Sequence, residues 1–284
     1  MKQHDVVMVH GVRNWRPGVA ADEAAAELAQ DWAGRLAAGY RDGGLGHMTP
    51  PRVHAAYYAD LLNDDEEEQS ALHELDDLGP AETELLMSWL RAAGLPEEPS
   101  EGQAWGTMPI RQALDWFARR GGTSADLLAR IAVALLPEVY KYLSSPTRRT
   151  AARQVVAEAI QTSGARVVVA HSLGSIVAYE ALHAFPLPQI DFLLTLGSPL
   201  GLPGGVFESL DPAPRNGRGS RPPGLTRWVN IADPGDLVAV PRRLGDRFDV
   251  DSHHEAHMAA IDFHTMGSYL NCGLTAAALA PHLF

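Results

Sequence analysis

The sequence predicts an α/β fold in which a mostly parallel sheet is flanked by helices and carries a helical insertion. Three observations predict it. Short apolar, β-branched runs alternate with longer amphipathic ones, the pattern of strands connected through helices. Those runs lack polar alternation, as expected of strands covered on both faces. Between residues 60 and 146 the alternation stops, and helical patches with Gly/Pro punctuation replace it.

The first run, Asp5-Val6-Val7-Met8-Val9, reads as a buried strand that ends in His10-Gly11. An Ala-rich helix is expected from about Val19 to Ala38, with Leu28, Trp32 and Leu36 on one face. Gly39 is expected to close that helix. A second strand is expected at Arg52 to Tyr58. The stretch from about Asp60 to Ser145 contains an acidic run (Asp64 to Glu68) and offers no convincing strand. Its best helix is Ala125 to Leu143, bent or broken near Pro137. Trp89, Trp105 and Trp116 in this stretch serve either a packing cap over the sheet or a lid that lines a pocket.

Alternation resumes at Thr147 with a helix that ends near Gly164. Further strands are expected at Arg166 to Ala170, Asp191 to Leu196, Thr226 to Ala232 and Arg247 to Val250. A helix is expected from Gly174 to Ala184. The Pro-, Gly- and Arg-rich stretch Asp211 to Gly224 reads as a surface loop. A last helix is expected from about His264 to Leu270, followed by a short apolar tail.

Composition narrows the function classes. The chain has 284 residues, and 46% of them are hydrophobic, which is ordinary for one globular domain with an internal insertion. Its formal net charge of -12 argues against nonspecific binding to nucleic acid or anionic membranes. No apolar run reaches the length of a membrane span, and no secretory leader is evident. A soluble, cytoplasmic protein is expected. The single cysteine, Cys272, excludes an internal disulfide and reads as a small apolar residue. No phosphate loop, dinucleotide fingerprint or metal-ligand spacing occurs, so no cofactor or metal is expected.

The chemistry-bearing segment is Ala170-His171-Ser172-Leu173-Gly174. It lies between a β-branched strand and an amphipathic helix, the context of a nucleophile elbow. So tight a turn needs small flanking residues and exposes the serine hydroxyl at the carboxyl end of the sheet. The following helix aims its N-terminus at the same place, where its dipole favours negative charge.

These residues resemble the elbow of the α/β-hydrolase superfamily, usually Gly-x-Ser-x-Gly, with Ala170 in the first glycine position. The likeness is to lipase- and esterase-like serine hydrolases. It covers roughly residues 4–60 and 147–275, and the insertion matches no motif of the family. The resemblance implies Ser172 as nucleophile, supported by Gly174. It also implies that His10-Gly11 opens a loop whose Val12 N–H, with that of Leu173, forms an oxyanion hole. The family order of serine, acid and histidine places the acid in the loop Ile231 to Val238. Asp236 precedes a small apolar pair as the family acid does; Asp233, the alternative, fits an Asp-Pro-Gly turn. The base comes from His253, His254, His257 or His264. His264 sits best, where the loop meets the last helix, and His257 is the alternative. His171 is expected to point away from the site.

A Ser172-His264-Asp236 triad implies an acyl-enzyme and a small-molecule or acyl substrate. Hydrolysis of an ester or thioester is the first expectation. Acyl transfer, cyclisation or peptide cleavage use the same triad, and a non-catalytic binding protein on the same scaffold is the remaining alternative.

Overall fold

The computed structural model describes residues 4–63, 75–95, 110–121, 125–236, 238–241, 243–258 and 264–283. The acidic run Asp64 to Glu68 and Trp105 lie outside these residues.

Six strands form one parallel sheet: β1 (Val6–Val9), β2 (Val53–Ala56), β3 (Val167–His171), β4 (Phe192–Leu196), β5 (Arg227–Ala232) and β6 (Ser252–Glu255). Their spatial order is β2-β1-β3-β4-β5-β6. The side-chain period of two divides each central strand between two cores. Val7, Val9, Val168, Ala170, Leu193 and Trp228 enter one. Val6, Met8, Val167, Val169, Leu194 and Ile231 enter the other. Both faces are therefore dry, which is why these runs are continuously apolar.

Helix α1 (Ala21–Asp42) covers the second face together with α7 (Met266–Asn271) and α8 (Gly273–Leu279). The first face carries α5 (Pro146–Ser163) and α6 (Leu173–Ala184). The stretch between β2 and β3 adds α2 (Pro80–Ala92), α3 (Ile110–Gly121) and α4 (Ala125–Ser144) to the same side. Trp89 is buried and Trp116 is partly buried in that core.

One fully buried carboxylate ties three of these helices together. Glu180 of α6 accepts from Tyr142 Oη of α4 at 2.6 Å. It also accepts from Arg149 Nε and Arg153 Nε of α5, both at 2.9 Å, and from the Asp211 amide at 3.0 Å. A buried charge is tolerable only when its lone pairs are filled in this way.

Three expectations are corrected. Gly39 does not close α1, which runs on to Asp42 with Gly43 as its cap. A Cβ on Gly39 would stand 2.2 Å from the Leu270 carbonyl oxygen, so glycine is needed there for close approach of α7. The strand expected at Arg247 to Val250 is a turn, and β6 follows it. Phe248 supplied the apolar signal, but it belongs to an aromatic cluster with Tyr179, Phe207 and Trp228. β6 itself is polar and half-exposed because it is an edge strand. Pro137 lies inside a single helix, whose buried Leu135, Leu136, Val139 and Tyr142 offset the lost backbone bond. The short apolar tail forms helix α8. No described helix is long and apolar enough to cross a membrane.

The two α1 glycines give opposite expectations. Gly39→Ala should destabilise the fold by about 1–3 kcal/mol through overpacking against backbone. Gly34 is exposed with nothing within 4 Å of a Cβ. Gly34→Ala should therefore stabilise by about 0.5–1 kcal/mol through helix propensity. Thermal unfolding of both variants checks the pair, and equal effects would refute the packing argument.

Candidate active site

In a parallel sheet all strands deliver their following loops to one edge. The strand order reverses direction between β1, whose chain continues to β2, and β3 on its other side. Such a switch point leaves a crevice at the carboxyl ends of the two strands. The loop after β1 and the turn after β3 meet there.

Ser172 occupies that turn with φ 52° and ψ -130°, a conformation that L-residues rarely adopt. Its amide donates to the Leu196 carbonyl of β4 at 3.1 Å. Its own carbonyl accepts from the Ser175 amide at 2.9 Å and the Ser175 hydroxyl at 2.6 Å. The crowding explains the small neighbours. A Cβ on Gly11 would lie 2.7 Å from the Ser172 Cβ, and one on Gly174 would lie 2.3 Å from the His10 carbonyl oxygen.

The structure brings Ser172, His264 and Asp236 together. Ser172 Oγ lies 2.9 Å from His264 Nε2, and His264 Nδ1 lies 2.7 Å from Asp236 Oδ2. Nδ1 faces a carboxylate and so carries the proton, which leaves Nε2 as acceptor for the serine hydroxyl. Asp236 is buried and also accepts from the Tyr269 hydroxyl at 2.9 Å and the Val238 amide at 2.8 Å. Tyr269 is a residue that sequence reasoning did not single out for this role. Burial first, and then the neighbouring Asp236, push its hydroxyl pKa upward, so it stays a donor.

The alternatives go elsewhere. Asp233 accepts from the Gly235 amide at 2.6 Å and from the Met258 amide, and its own amide donates to Tyr269 Oη at 2.9 Å. It shapes the turn that presents Asp236. His257 is 84% exposed and stands 3.9 Å from Asp233. His253 pairs with Asn230 and Glu255 on β6, and His254 lies on the same strand. The expectation for His171 is corrected. Its ring is buried against His264 at 4.9 Å between centroids, because it ends β3 on the side where that histidine docks. Burial first, then the neighbouring His264 and His10, lower its pKa well below the ordinary value, so it is neutral.

The loop after β1 is pinned peptide by peptide. His10 Nδ1 donates to the Gly11 carbonyl at 2.6 Å, and Nε2 accepts from the Tyr58 amide at 3.0 Å. These partners require the neutral ring, and burial lowers its pKa to about 4. Asn14 Nδ2 donates to the carbonyls of Gly11 at 3.1 Å and Val12 at 2.9 Å. With the Gly11 carbonyl held, the Val12 N–H of the same planar trans peptide is directed the opposite way. Arg13 adopts φ 62°, and its amide donates to Glu138 Oε1 of α4 at 2.8 Å. Sequence reasoning missed Glu138; a lone acid in the apolar run Leu135 to Tyr140 is the signal that marks it. No acceptor for Val12 N–H occurs among the described residues, and Leu173, at the first position of α6, has no intrahelical acceptor for its own N–H.

An apolar pocket opens on Ser172. It encloses about 350 Å³, counting space open to solvent. Leu85 and Trp89 of α2, Leu135, Leu136 and Val139 of α4, and Leu202, Val206 and Val238 line it. Cys272 is half-buried in the turn between α7 and α8. No group of three or more His, Cys, Asp or Glu side chains is placed to hold a metal among the described residues.

Glu138 generates a pH expectation. Burial raises its pKa from 4.5 to about 7, against the opposing pull of the Arg13 amide and Lys141. The folded protein then holds a proton that the unfolded chain releases. Stability from this group is complete below about 4.5 and is lost as pH rises through about 7, by on the order of 3 kcal/mol. Glu138→Gln keeps an acceptor for Arg13 but does not titrate. Its stability relative to the unsubstituted protein should therefore rise between about pH 5 and about pH 8. Denaturant titrations at both values measure this, and a constant difference would refute it.

A scan against models of known protein families finds no match to this chain, and a search of curated proteins finds no relative.

Proposed function

We propose that the protein is a serine hydrolase that cleaves a carboxylic ester or thioester through an acyl-enzyme. The observation that carries this reading is the unbroken hydrogen-bond chain from Ser172 Oγ through His264 to the buried Asp236. It is the arrangement that turns a weak hydroxyl nucleophile into an effective one.

In the proposed reaction Ser172 Oγ attacks the substrate carbonyl carbon while its proton passes to His264 Nε2. Asp236 holds the imidazolium in place through Nδ1–H. The carbonyl oxygen becomes an oxyanion that accepts from the Val12 and Leu173 amides, and the dipole of α6 adds to that stabilisation. His264 gives its proton to the departing alkoxide or thiolate, leaving the acyl group on Ser172. Water, deprotonated by His264, then releases the acid and restores the serine. The apolar pocket receives the acyl chain, with α2 and α4 as a cap over it. Acyl transfer, cyclisation and peptide cleavage begin with the same acyl-enzyme. The continuity of the three polar groups speaks against a binding protein on an inert scaffold.

Ser172→Ala should abolish turnover of a short p-nitrophenyl ester and labelling by a fluorophosphonate, with an unchanged circular dichroism spectrum. Asp236→Asn should lower kcat by about 10⁴-fold, since it misdirects the histidine tautomer. Asp233→Asn should cost far less, because Asp233 holds only the turn. Turnover and labelling that survive Ser172→Ala would overturn the proposal.

A further inference from the structure

A second apolar pocket lies beside the first. It encloses about 340 Å³, again counting space open to solvent, and is lined by Leu86, Trp89, Leu90, Ala93, Leu114, Leu128 and Ala132. Among the described residues the two linings share Trp89. Helix periodicity shows how they are related. On α4, Leu128 and Ala132 face the second pocket, and Leu135, Leu136 and Val139 face the first. Steps of three or four residues keep these side chains on one face. The pockets therefore follow each other along α4. At 1.5 Å per residue their centres on that helix lie roughly 10 Å apart. On α2, Leu85 and Trp89 border the first pocket, and Leu86 and Leu90, with Ala93 at the helix end, border the second. Trp89 is buried between them.

We propose that Trp89 is the end wall of an acyl-chain site, so that the protein selects short aliphatic acyl groups and its indole separates that site from the second pocket. This rests on the serine hydrolase reading given above. Among the described residues neither lining contains a charged side chain, and the polar side chains in them are Ser172 itself and the indole of Trp89. An aliphatic chain leaves no group unpaired there, whereas a charged or hydroxylated one would. The indole is large enough that its removal opens more space than several methylenes occupy. Each methylene that gains a dry wall contributes about 0.8 kcal/mol.

The test is a series of p-nitrophenyl esters from acetate to dodecanoate. The unsubstituted protein should prefer the short members. In Trp89→Ala the ratio of kcat/KM for dodecanoate over butyrate should rise by at least about tenfold, mostly through KM. Adding Ala132→Phe refills the second pocket and should return the ratio to its original direction, a reversal that general loosening of the insertion would not produce. Should Trp89→Ala fail to fold, Ala132→Phe alone leaves the short-chain preference in place, while Trp89→Leu still raises the ratio. An unchanged ratio in a folded Trp89 variant that still turns over butyrate would overturn the chain-length proposal and leave the hydrolase reading standing. Absence of any turnover, together with no fluorophosphonate labelling of Ser172, would overturn both.

Discussion

Everything at the carboxyl edge of the sheet depends on how closely the turn after β3 approaches the loop after β1. The two backbones meet with no room for a side chain at Gly11 or Gly174. That closeness brings the loop after β1 and the turn after β3 together at the place where the strand order reverses. It also makes His10 a structural residue. The ring is buried, stacks on Tyr58 at 4.0 Å and bonds both neighbouring chain segments as a neutral imidazole. A protonated ring could not accept from the Tyr58 amide, so its lowered pKa and its place in the loop have one cause.

The electrostatics around Ser172 follow from the same crowding. His10 and His171 are held neutral by burial, and Tyr269 is held as a phenol beside Asp236. Asp236 receives three hydrogen bonds, from His264, Tyr269 and the Val238 amide. Donors to a carboxylate are stronger than neutral pairs and leave it little freedom to turn. His264 therefore meets a fixed partner on one side and Ser172 on the other. Asp233 lies three residues away and is equally buried, yet its oxygens are taken by the Gly235 and Met258 amides.

Much of this was legible in the sequence wherever one physical cause dominates. β1 and β3 are covered on both faces, so their apolar runs announce them. Ser172, Asp236 and His264 stand out because their order and loop positions repeat a known pattern. What was illegible has two causes at once. Gly39 reads as a helix end because glycine suits left-handed backbone, whereas here it makes room for the Leu270 carbonyl. β6 is hidden because an edge strand needs no apolar face, and nearby Phe248 carries the apolar signal into an unrelated cluster. Tyr269 is a buried tyrosine like several others until its hydroxyl is seen on Asp236.

Strain and buried polar groups are concentrated at the site, and they are held by different parts of the chain. The unusual backbone of Ser172 costs of order 1–3 kcal/mol. It is offset by bonds to Leu196 of β4 and to Ser175 of α6, and α6 is in turn clamped through Glu180. The serine is thus fixed by the sheet and its own helices. The left-handed Arg13 is held instead by Glu138, which belongs to the stretch between β2 and β3. Displacement of α4 would release the Arg13 amide directly and would reach the turn after β3 through Tyr142 and Glu180. The loop that carries Val12 is therefore tied directly to the helix that lines the pocket, whereas Ser172 is tied to that helix through Glu180 and Tyr142. Filling the pocket and setting the Val12 amide are consequences of one helix, because Glu138 and Val139 are adjacent on it and face the two in turn.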